Sequence, residues 1–145
     1  MHLKKELFFI SYNKIEYSKY RFERSKDDLE TSIKNFDDNK YIASINRSYY
    51  AIFHAVRSIN ILDGFDSKKH SGVISYFQHH YIKTNIFNVK YSKWIDKAFY
   101  IRNNADYIDF YIATKEDALE QIQHAEEFVR FVQNYLKSKY EFYES

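Results

Sequence analysis

Proline is absent from this chain, and glycine occurs only at Gly64 and Gly72. That scarcity constrains the fold more than any other feature of the sequence. A β-rich domain reverses direction often, and its tight turns draw on glycine for positive φ and on proline for fixed φ. Long helices joined by a few short connections need almost neither. The chain of 145 residues is therefore read as all-α, a single domain over residues 1–145, long enough to bury a core.

Cysteine is also absent, which removes disulfides, thiolate metal sites and cysteine nucleophiles and fits a reducing compartment. The apolar patch from Leu7 to Ile10 is too short for a signal segment. No stretch approaches the roughly 20 apolar residues of a membrane span. These readings predict a cytoplasmic protein away from the membrane. The net charge of +2 announces no strongly basic nucleic-acid-binding face. The 15 tyrosines and 13 phenylalanines fit either the codon bias of an AT-rich genome or an aromatic interaction surface.

Apolar spacing predicts about five helices. The first covers Lys14 to Asp37, with Phe22, Leu29, Ile33 and Phe36 on one face. Asp37, Asp38 and Asn39 supply N-cap chemistry for the second, Lys40 to Leu62. That helix is apolar on most faces and carries only Arg47 and Arg57 as formal charges, so it is expected at the centre of the bundle or between subunits. Gly64 suits a left-handed C-cap. A third helix is expected over Ser67 to Ile82 and a fourth over Tyr91 to Ala105, before an irregular aromatic stretch from Asp106 to Ala113. The last starts at the N-cap Thr114, with Glu116 and Asp117 in its first turn and a stripe of Ala118, Ile122, Ala125, Val129, Val132 and Leu136.

Phosphate loops and the H-E-x-x-H zinc motif are absent. Among the six histidines, His79 and His80 are adjacent and point about 100° apart on a helix, and His54 lies alone on an apolar helix. No metal site is expected. Two segments could carry chemistry. In Asn46-Arg47-Ser48-Tyr49-Tyr50-Ala51-Ile52-Phe53-His54-Ala55, a buried arginine needs a partner. It serves either an internal ion pair, with Asp106 as the candidate, or an anion site. In Arg102-Asn103-Asn104-Ala105-Asp106-Tyr107, a cation, amides, a carboxylate and a phenol gather at a helix end. They serve either capping or the handling of a phosphodiester.

These segments resemble the HEPN family (higher eukaryotes and prokaryotes nucleotide-binding). Asn46 to Ala55 is similar to its N-R-x-Y-Y-A-x-F-H-A signature, and Arg102, Ala105, Asp106 and Tyr107 match R-x-x-A-D-Y. Arg21 to Leu29 resembles R-x-x-x-x-x-x-D-L, and Lys69, His70, Ser71 and Gly72 resemble K-H-S-G. Glu116 to Leu136 resembles the closing helix of the family. The resemblance spans nearly the whole chain and implies an up-and-down bundle of four or five helices, usually a homodimer. It further implies a toxin–antitoxin context beside a small nucleotidyltransferase, a nucleotide or RNA ligand, and no cofactor.

Many members are metal-independent ribonucleases with Arg, four to six residues, then His, placed at a dimer cleft. Arg102 and Asn103 match the start of that motif, but Tyr107 stands where the histidine is due. A phenol with a pKa near 10 is a poor general base. Whether the chain is an enzyme therefore stays open. On the catalytic reading, Arg102, Asn103, Asp106 and Tyr107 form the site, with His54 beside them; on the binding reading, Arg47, Tyr50, His54 and His70 contact a ligand together with Arg102. A purely structural bundle is the remaining alternative. Some family toxins are silenced by nucleotidylation of a nearby tyrosine, which makes Tyr107 and Tyr111 candidates by position.

Overall fold

The computed structural model describes residues 2–141, with side chains described from residue 13. The side chains of the Leu7–Ile10 patch lie outside the described residues. The described residues form helices and no strand: α1 (His2–Asp37), α2 (Tyr41–Leu62), α3 (His70–Phe77) running into a π-helical turn (Gln78–Ile82), α4 (Val89–Tyr107) and α5 (Lys115–Lys139). The all-α bundle expected from the sequence is what forms.

The helix ends follow local chemistry, with one exception. Thr114 accepts a hydrogen bond from Asp117 N–H at 3.0 Å and caps α5. Gly64, at φ +88°, closes α2 in a Schellman arrangement: Phe65 N–H bonds Asn60 C=O and Gly64 N–H bonds Ile61 C=O. Asn39, at φ 61°, ends α1 in the same way, with Lys40 N–H on Asn35 C=O and Asn39 N–H on Phe36 C=O. The expectation that Asp37, Asp38 or Asn39 caps α2 fails. Lys40 takes that position without a side-chain cap, because Asn39 is used to stop α1.

The first two helices form an antiparallel hairpin held by a polar seam that apolar spacing did not reveal. Ser18, Ser25 and Ser32 recur every seventh residue on α1, and Ser44, Ala51 and Ser58 do so on α2. Ser18 Oγ donates to Ser58 C=O at 2.6 Å, Ser25 Oγ to Ala51 C=O at 2.5 Å, and Ser32 Oγ to Ser44 C=O at 2.8 Å. Each pair is fully buried. Small side chains let the backbones approach, and each α1 hydroxyl is satisfied by a carbonyl across the seam.

On its other sides α2 packs against α3, α4 and α5, so it is the central helix of the bundle. Every residue of the predicted α5 stripe is buried, joined by Gln121 and Phe128. Burying one such large apolar side chain contributes about 1.5–3 kcal/mol. The third helix starts later than expected, at His70, and its last turn is π-helical rather than α. Asp63, just past α2, accepts from Tyr81 Oη at 2.6 Å and Tyr76 Oη at 3.3 Å, tying this segment to the end of the central helix.

Candidate functional site

The C-terminal part of α4 carries Arg102 to the middle of α2. Its guanidinium lies over the rings of Tyr49 and Tyr50, 5.4 and 5.3 Å from their centroids. Nη2 donates to Tyr50 Oη at 2.9 Å and Nη1 to Asn103 Oδ1 at 3.2 Å. Nε stands 2.9 Å from Asp106 Oδ2, one helical turn on, close enough for an ion pair but without the alignment of a hydrogen bond. Asn46 approaches the same carboxylate at 3.5 Å.

Arg47 does not pair with Asp106. Its Nη1 donates to Asp28 Oδ1 at 3.1 Å, and its Nε and Nη2 both reach Asn46 Oδ1, at 3.2 and 2.6 Å. The reason is geometric: Asp28 on α1 is buried beside α2, whereas Asp106 is engaged by Arg102 of its own helix. Asp28 was missed as a site residue, although it lies in the Arg21–Leu29 segment that carries part of the resemblance. The Arg47 guanidinium also sits 5.0 Å from the Tyr50 centroid, so two arginines flank one phenol ring.

His54 follows Arg47 and Tyr50 on one stripe of α2, at i+7 and i+4. It is buried, and its Nε2 lies 3.7 Å from Asp28 Oδ2. Burial, reinforced by Arg21, Arg24, Arg57 and Arg47, lowers its pKa to about 3. It is therefore neutral at pH 7. Burial also raises Asp28 above the usual carboxylate range, with Arg47 and Arg24 opposing that shift. His54 Nδ1 and Asp28 Oδ2 are buried and make no hydrogen bond among the described residues.

His70, the first residue of α3, joins the cluster from the other side. Its ring stacks on Phe53 at 4.2 Å and meets the Tyr50 ring edge-on at 5.8 Å. Its Nδ1 is 2.8 Å from Tyr49 Oη. Burial raises the Tyr49 phenol, and burial, then Arg102 and Arg57, lower His70. Burial thus favours a neutral phenol and a neutral imidazole sharing one hydrogen bond. Tyr49 had no place among the expected ligand contacts; its neighbour Tyr50 was the only signal.

Of the expected residues, then, Arg102, Asn103, Asp106 and Tyr50 touch directly, and Tyr50 links them to Arg47, His54 and His70. Tyr107 stands apart. It is 76% exposed, and no hydrogen bond or ring contact joins it to this cluster. Among the described residues no group of three or more His, Asp or Glu could hold a metal ion, and no helix is long and apolar enough to cross a membrane.

The same segments decide the family. The profile of the HEPN domain matches residues 18–135, which span α1 to α5. The chain belongs to the HEPN family. This HEPN chain is 32% identical over 118 residues to a Methanocaldococcus jannaschii protein named a putative toxin, covering 81% of this chain and 80% of that protein. A second protein of that organism with the same kind of name is 30% identical over 115 residues, 79% of this chain and 85% of its own length. A UPF0332 protein of Thermotoga maritima is 28% identical over 123 residues, 85% of this chain and 91% of its own.

Proposed function

We propose that this chain is a toxin-type HEPN module of the cytoplasm that binds a phosphate-bearing ligand, RNA or a nucleotide, at Arg102. It acts as a homodimer with a small nucleotidyltransferase as partner. The observation that carries the binding role is the posture of Arg102. Its side chain is held on two tyrosine faces and by three polar neighbours, yet stays 15% exposed. One N–H on each Nη is left over for an incoming phosphate, the fork geometry that suits bidentate phosphate recognition. Relatives named as putative toxins support the toxin-type reading.

Binding is favoured over cleavage because burial disfavours the imidazolium form of both histidines in the cluster. His54 is held near pKa 3 and His70 is shifted the same way. Tyr107, in the place of the motif histidine, is turned out to solvent. A ribonuclease is the second reading, and His70 is what favours it, since it brings an imidazole to the Arg102 cluster from another helix.

Incubating the purified chain with total RNA, without metal, separates the two readings. The expected result is retention of RNA without cleavage, with affinity at least about tenfold lower in a folded Arg102→Gln variant. Cleavage that Arg102→Gln loses would replace the binding module by a ribonuclease. Retention that survives the substitution would remove Arg102 from the site.

The dimer rests on apolar side chains left exposed along and after the C-terminal part of α4. Phe110 is 99% exposed, Ile112 82%, Tyr100 66% and Ile108 52%, and Phe110 is held at φ 60°. Large apolar groups left exposed along one segment of the chain mark an interaction surface. Light scattering is expected to give twice the chain mass, falling to the chain mass in a Phe110→Asp, Ile112→Asp double variant. A wild-type monomer at high concentration would exclude the homodimer.

A further inference from the structure

Away from Arg102, the groove between the N-terminal half of α1 and the end of α2 holds two adjoining cavities. The first, of about 440 Å³, is lined by Lys14, Tyr17, Arg21, Ile61, Phe65 and Asp66, among others. The second, of about 520 Å³, is lined by Arg21, Arg57, Asp66, Ser67 and Lys68. Both lie in the size range of small-ligand sites. They share Arg21 and Asp66, so they meet at those residues. Neither is lined by any residue of the Arg102 cluster, and Arg57 stands seven residues beyond Tyr50, about 10 Å along α2.

The charge balance here is one-sided. Lys14, Arg21, Arg57 and Lys68 face one carboxylate, Asp66. That carboxylate is already taken by a two-pronged pair with Arg57, at 2.9 and 2.7 Å. Arg21 has no such partner: its Nε is buried without a hydrogen bond among the described residues, and its guanidinium is disfavoured by burial and by Arg57. Opposed cations with one shared anion leave a site that a further anion would relieve. At the other end, Tyr17 and Phe65 offer flat apolar faces, and Phe65 is braced by stacking on Tyr76 at 4.2 Å. Gly64 keeps the floor open. A Cβ there would stand 3.1 Å from Lys14 Nζ, and φ of +88° already favours glycine.

We infer that this groove is a second ligand site, for a small molecule that joins a flat ring to a phosphate, of the nucleoside monophosphate kind. The phosphate sits between Arg21, Arg57 and Lys68, and the ring lies on Tyr17 and Phe65. The site stands independently of the binding role assigned to Arg102.

Calorimetric titration of the full chain with AMP tests it. In a folded Arg102→Gln background, which removes the first site, one molecule is expected to bind per chain. Affinity should fall at least about tenfold in Arg21→Gln and in Lys68→Gln, each confirmed folded by circular dichroism. Three results would overturn the inference: no AMP binding by the folded Arg102→Gln protein, unchanged affinity when Arg21→Gln or Lys68→Gln is added to it, or inorganic phosphate binding as tightly as AMP.

Discussion

A Ser25→Leu variant is expected to lose about 3–4 kcal/mol of stability, while Ser25→Ala loses only about 1 kcal/mol. Ser25 is fully buried, and its Oγ lies 2.5 Å from the Ala51 carbonyl on the facing helix. Alanine fits that space and gives up one hydrogen bond. Leucine cannot enter it unless the α1 and α2 backbones part, and parting them would also strain the flanking pairs at Ser18 and Ser32. For a domain with a total stability on the order of 5–15 kcal/mol, the larger loss is severe. Thermal unfolding of the three proteins side by side measures both effects. A Ser25→Leu variant as stable as Ser25→Ala would show that the seam is not close-packed.

Acid is expected to unfold the protein through His54. Its folded pKa is about 3 against an ordinary 6.5. Between those values the unfolded chain binds a proton that the native chain refuses, so stability falls as pH falls through that window. From pH 7 to pH 4 the loss is about 3 kcal/mol from this residue. His70 and His124, also lowered by burial, add to it with the same sign. Asp28 opposes it: its raised pKa contributes stability that is present at low pH and lost as pH rises through the folded value. Urea unfolding of wild type and His54→Gln from pH 7 to pH 4 separates these contributions. The variant should show a much shallower decline, and equal slopes would mean that His54 carries its proton in the folded protein.

The exposed aromatic segment shows how a legible feature can keep its meaning hidden. The stretch from Asp106 to Ala113 read as aromatic and irregular, but the first two residues complete α4, and Phe110 and Ile112 then project almost fully into solvent. Their exposure depends on what the rest of the bundle leaves uncovered, which spacing along one segment does not contain. The absence of the motif histidine was equally legible at Tyr107. That His70 and Arg102 share one site was expected from the resemblance; that Tyr49 of α2 links them was not, because α3 starts 32 residues earlier in the chain than Arg102.

The sequence by itself determined the all-α class, the capping of α5 by Thr114, the closure of α2 at Gly64 and the buried stripe of α5. Each follows from residues within a turn or two of one another, where backbone sterics and hydrogen bonding are local. Its resemblance to the HEPN family was also legible, and the profile match over residues 18–135 bears that out. Tertiary structure alone decided which carboxylate meets Arg47, which serines meet across the α1–α2 seam, and which rings hold Arg102 and His70. Those pairings depend on the register in which two antiparallel helices slide together. A close-packed seam selects that register by the summed fit of many side chains, so it brings Asp28 rather than Asp106 to Arg47.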